Sequence, residues 1–247
     1  MAGDTPPPLT PTDWAADQIH DPAAMNAARQ ALFRSTRDTI SHIILLDQLE
    51  WRAHKGGDAI AWGGKAWVGG DIDRLMIRTE GEALVHGPVE KAEIRALWSH
   101  AVGPYANLEL GIRYDVRPEP NRSYATVGID AMLPYWIEAE GALFLSDKGD
   151  MLGRVELSHD MRLTNALILQ PRAELNLAAQ DIAEQGIGAG LSDAEFGLRL
   201  RYAPDPAFGP YIGINWERKF GETARIALAE GEHRSTTSLV AGVRFWF

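Results

Sequence analysis

The sequence predicts an all-β protein: an antiparallel transmembrane β-barrel, read as twelve strands, behind a short N-terminal helical or irregular segment. Three observations predict it. The closing stretch STTSLVAGVRFWF, residues 235–247, alternates, with Leu239, Ala241, Val243, Phe245 and Phe247 on one face and Val240, Gly242, Arg244 and Trp246 on the other; period two is the strand signature. The same design recurs eleven times upstream, without helices enough to cover the apolar faces. No run of eighteen apolar residues occurs, which removes a helical span but not strands of about ten residues. An open sheet of this kind would expose a long apolar face and two unpaired edges, whereas closure removes the edges and turns the apolar face to lipid. A soluble sandwich is the competing reading.

Residues 1–36 form the first predicted unit, a periplasmic segment that is either helical or plug-like. Prolines at 6, 7, 8 and 11 make residues 1–12 a lead-in, and residues 14–34 favour helix, with Asp21-Pro22 as the start signal. Residues 37–247 form the barrel. Its strands are expected at 39–53, 60–68, 74–82, 90–100, 106–115, 123–133, 135–146, 151–160, 167–178, 194–202, 209–220 and 235–247. Each boundary rests on where alternation stops, and Pro134 splits two runs because proline cannot donate to a central ladder. Ten or fourteen strands are the neighbouring counts. With the amino terminus periplasmic, the two longest connections, 179–193 and 221–234, fall on one side, as the long external loops of outer-membrane barrels do. Aromatics near strand ends, such as Trp51, Trp98, Trp136, Tyr202 and Trp216, suit interfacial girdles.

Composition excludes little but narrows the partners. The formal charge is -10, from 34 acidic and 24 basic side chains, which argues against nucleic acid and is compatible with a cation-facing lumen. There is no cysteine, so disulfides and thiolate metal sites are out. A hydrophobic fraction of 45% beside a mean hydropathy of -0.20 fits alternation. No signal peptide opens the chain, so a secreted reading requires that a leader was removed.

The polar face is densely charged. Glu50, Arg52, Arg78, Glu80, Glu93, Arg95, Glu109, Arg113, Glu174, Glu195, Arg199 and Arg201 are expected to form a lumen charge network, joined by Glu156 and Arg172. Confined charges must pair or stay hydrated; the network either fills a narrow barrel or also forms an ion path. Soft-metal chemistry recruits imidazole and thioether, and the candidates on strands are His42, His54, Met76 and Met151. By simple alternation His42 and His54 share the parity of Gln48 and Glu50, and Met76 that of Arg78 and Glu80. For each, an ordinary lumen-wall or loop residue is the competing reading. No catalytic residue is assigned. Ser158 and His159 are adjacent on a strand and so face opposite ways, and GIGAG at 186–190 lacks the lysine of a phosphate loop and reads as flexible loop.

Several landmarks resemble one family. LLDQLEWR at 45–52, VGGDIDRLMIRTEGE at 68–82, GIRYD at 111–115, LPYWIEAE at 133–140, LILQPRAELN at 167–176, GLRLRY at 197–202, PYIGINWERKFG at 210–221 and AGVRFWF at 241–247 together make the chain similar to the bacterial copper resistance protein B family. The resemblance implies a cell outer membrane location, copper ion as ligand, a role in copper homeostasis or transport without catalysis, lipid as the immediate surrounding, and periplasmic copper-resistance proteins as partners. Members often carry a methionine- and histidine-rich amino-terminal region, and residues 1–33 lack that density. The alternatives are a structural or copper-sequestering membrane protein and, behind it, a membrane-embedded hydrolase.

Overall fold

A computed structural model describes residues 15–37 and 40–247; the lead-in at 1–12, Trp14 and Thr39 lie outside the described residues. Two units are present. In the first, a short turn of 3-10 helix, Ala15–Gln18, precedes α1, Pro22–Arg37. Asp21 caps α1, its Oδ2 accepting from Ala24 N at 3.0 Å, and Pro22 takes the first helical position, where its missing N–H costs nothing. Asp17 pairs with Arg29 at 2.6 Å.

The second unit is a closed antiparallel barrel of twelve strands. They are β1 Ser41–His54, β2 Gly57–Gly69, β3 Asp73–Leu84, β4 Val89–Gly103, β5 Ala106–Arg117, β6 Arg122–Leu133, β7 Ile137–Ser146, β8 Met151–His159, β9 Leu167–Ala178, β10 Gly190–Tyr202, β11 Phe208–Lys219 and β12 Ser235–Trp246. Each pairs with the next, and β12 returns to β1 through Trp51↔Ala241 and Arg52↔Val240. A two-residue strand, Met161–Arg162, adds a bridge to the start of β9. Every predicted strand is present, most to within three residues. One start moves because Tyr135 and Trp136 take left-handed backbone conformations in the turn after Pro134, which delays β7 to Ile137. The long connection before β12 holds a helix the sequence reading missed, α2, Gly221–Ala229.

The faces divide as alternation requires. Leu75, Ile112, Ile212 and Leu239 are each at least 63% exposed on the outside, an apolar surface that suits lipid and not water. Trp62 lies flat over Gly81 on that face, where an added Cβ would sit 2.1 Å from the indole. Inside, arginines and carboxylates such as Glu50, Arg95, Glu93 and Arg154 are buried among small apolar side chains, beside one apolar cluster of Tyr124, Phe144, Leu152, Ala178 and Ile182. The chain ends of the barrel share one rim with the connections at 70–72, 104–105, 134–136, 160–166 and 203–207; the longer connections, 179–189 and 220–234, leave from the other rim.

Candidate functional site: the charged lumen

The interior encloses a cavity of about 990 Å³, lined from one mouth (Glu90, Glu217, His233) to the other (Lys65, Glu138, Arg244). Strand register organises its charge into like-signed rows. Asp130, Glu140, Glu156, Glu174, Glu195 and Glu217 are direct cross-strand neighbours on six consecutive strands, β6 to β11. Lys65, Arg78, Arg95 and Arg113 make the matching basic row on β2 to β5. Like charges directly opposite in a sheet destabilise it, so each row depends on cations or anions reaching it from elsewhere in the barrel.

They do reach. Arg78 pairs with Glu140, with Glu109 at 2.7 Å and with Asp130 at 3.1 Å. Arg95 holds Glu80 and meets Glu140 at 2.9 Å, while Arg154 spans from β8 to Glu80 at 2.8 Å and Glu93 at 2.9 Å. These contacts tie β3 and β4 to β7 and β8 across the lumen. A second tie closes the far side. Arg199 grips both oxygens of Glu50 at 2.9 Å, and Arg52 joins Glu50, Glu82 and Glu195 at 2.9, 2.9 and 3.1 Å. Arg172 binds Glu156 through two nitrogens and Glu174 at 2.9 Å. Tyr211 and Gln48 also donate to Glu50. Bidentate guanidinium–carboxylate geometry satisfies both partners and makes burial of the charges tolerable.

All twelve predicted network residues face this interior. The largest omissions were Glu140 and Arg154, both legible from parity: Glu140 stands two residues from Glu138, and Arg154 two from Glu156. The acidic row ends unmatched, since Glu217 has no basic side chain in contact among the described residues.

The metal candidates do not converge. A bulge at Asp47, where Leu46 pairs with Gly64 and Gln48 with Gly63, reverses the alternation and puts His42 on the outer face beside Val68. Met151 pairs with Leu145, which is half exposed to the outside, so it too leaves the lumen set. His54 and Met76 do line or face the interior, Met76 against Arg78 Nε at 3.2 Å. They lie at opposite ends, because Met76 pairs through Trp67 with Ile43, eleven residues before His54, or roughly 36 Å along the strand. Among the described residues no cluster of three or more His, Cys, Asp or Glu has metal-holding geometry. Ser158 faces the cavity, and His159 instead meets Trp136 O at 3.1 Å.

A closed ring of strands with an apolar exterior and a charged bore defines a porin-like outer-membrane barrel. The solved NanC porin shares this fold, with a TM-score of 0.52 at 12% identity over 83% of this chain and 99% of the porin. The family model described as copper resistance protein B precursor matches residues 40–247, and the chain belongs to that family. A copper resistance protein B homolog of Pseudomonas syringae pv. tomato is 39% identical over 98% of this chain and 79% of its own length. Copper resistance protein B of Escherichia coli is 40% identical over 92% of this chain and 78% of its own length.

Proposed function

We propose that this barrel resides in the cell outer membrane and serves copper resistance by taking copper ions as cargo into its charged lumen. The observation that carries the reading is the acidic row, which runs across six strands and reaches one mouth at Glu217, which forms no ion pair among the described residues. Carboxylate and imidazole both suit cupric copper, and Glu82, Glu195, His54 and His233 line that same end of the cavity. Ions would exchange weakly between successive carboxylates, as conduction requires. Residues 1–36 act on the periplasmic side, where periplasmic copper-resistance proteins could hand over or receive the ion. No residue is assigned a catalytic role.

The lumen-crossing arginines favour a second reading, in which the barrel binds copper without passing it. Proteoliposomes containing a fluorescent copper chelator separate the two. Copper entry above protein-free vesicles, reduced in a Glu195→Gln/Glu217→Gln variant, supports passage; saturable binding without entry supports sequestration. Neither binding nor entry would sink both.

A further inference from the structure

The two long connections do not extend as free loops. Residues 179–189 leave β9 and fold inward over β8 and β7 as far as β6. Ile182, 5% exposed, joins the cluster of Tyr124, Phe144 and Leu152. Glu184 pairs with Arg122, and Gln185 Nε2 donates to Tyr124 Oη at 3.2 Å. On the other flank Gly188 N donates to Thr223 Oγ1 of α2 at 2.9 Å. A Cβ at Gly188 would lie 2.3 Å from Glu222 Cβ, so connection and helix touch without space for a side chain. Below this assembly Arg113 stacks 4.6 Å from the Phe144 ring centre, and Tyr124, Phe144 and Ile187 border the same cavity from under the connection. On the opposite arc the turns at 55–56 and 85–88 are short and leave His54 and Glu90 bordering the cavity.

We infer that the 179–189 connection and α2 form a two-part cap that seals the mouth above β6–β8 and confines entry to the arc bordered by His54 and Glu90. An apolar contact anchors the cap from below, while one ion pair and one backbone-to-hydroxyl bond latch its two flanks. The cap therefore opens by local unfolding and not by hinge motion. The inference extends the proposed passage by naming its entrance, but it holds for any small hydrophilic solute.

Because the chain has no cysteine, single cysteines report access cleanly. Thr126 is 6% exposed, faces the lobe under the cap, and its hydroxyl has no partner among the described residues, so Thr126→Cys sacrifices no hydrogen bond seen there. Glu90→Cys reports the open arc. With the folded barrel in detergent and a charged methanethiosulfonate reagent, Thr126→Cys should react far more slowly than Glu90→Cys. Adding Ile182→Ala and Glu184→Gln should speed the Thr126→Cys reaction by about tenfold or more, as the open population rises, and leave Glu90→Cys unchanged. Should that background fail to fold, Thr223→Ala loosens the other flank and should move the rate in the same direction. Equal Thr126→Cys rates with the cap intact and loosened would overturn the inference, as would a Thr126→Cys rate matching Glu90→Cys in the intact barrel.

Discussion

Replacing Glu50 by alanine tests whether the lumen arginines are held by their carboxylates or merely hydrated. Glu50 is 1% exposed and is the only carboxylate paired with Arg199 among the described residues, whereas Arg52 retains Glu82 and Glu195. Glu50→Ala therefore leaves one buried guanidinium without a counter-charge, a loss of about 3–5 kcal/mol. It also removes the acceptor of the Tyr211 hydroxyl, worth about 1 kcal/mol. Substituting both partners, Glu50→Met with Arg199→Met, removes the orphan and should return stability to within about 2 kcal/mol of the parent. Equilibrium unfolding of the barrel in phospholipid vesicles, followed by tryptophan fluorescence, reads both numbers, and the double-mutant cycle isolates the pair. Glu50→Ala costing under about 1 kcal/mol, or a double variant worse than either single one, would refute the account of the lumen as a mutually neutralising network.

Three further outcomes follow from other parts of the molecule. Ile112→Arg, placed mid-strand on the outer face where Ile112 is 63% exposed, should destabilise the barrel in vesicles by about 2–4 kcal/mol; no cost there would argue against lipid at that face. Gly81→Ala drives a methyl into Trp62 and to 2.6 Å from the Lys91 carbonyl, so the same unfolding assay should show a loss of about 1–3 kcal/mol. In the first unit, the hydrogen bond from Arg29 holds the Asp17 carboxyl below the usual carboxylate range. Any stability it lends is present above the unfolded-state value and fades as pH falls through the folded one; Arg29→Gln should raise the Asp17 midpoint in an NMR titration.

The barrel was legible because lipid imposes its pattern residue by residue. Alternation located twelve strands, and Pro134 located a turn, since both follow from backbone geometry. The charge network was legible for the same reason: Arg199 and Arg201, or Glu93 and Arg95, share a face by parity alone. What failed was the assumption that parity persists. One extra residue at Asp47 sends His42 to the lipid side, and nothing in LLDQLEWR announces a bulge. Met151 is a different case, because its odd position beside Arg154 and Glu156 already placed it outside. GIGAG at 186–190 reads as flexible loop, yet Ile182 and Ile187 are the signal, two branched aliphatics among small and polar residues that need something to pack on. Which carboxylate meets which guanidinium was not readable, because partners such as Arg154 and Glu93 are fixed by curvature across the bore and not by neighbouring strands.

Glu50 finds Arg199 and Tyr211 at separations of 149 and 161 residues. During biogenesis its strand therefore emerges long before either partner exists, and until then Glu50 has only Arg52, two residues away, to neutralise it. Inserting that strand singly would place Glu50 in hydrocarbon without its bidentate partner. The membrane step is consequently expected to wait for β10 and β11, so that a polypeptide truncated before residue 199 accumulates outside the bilayer and is degraded.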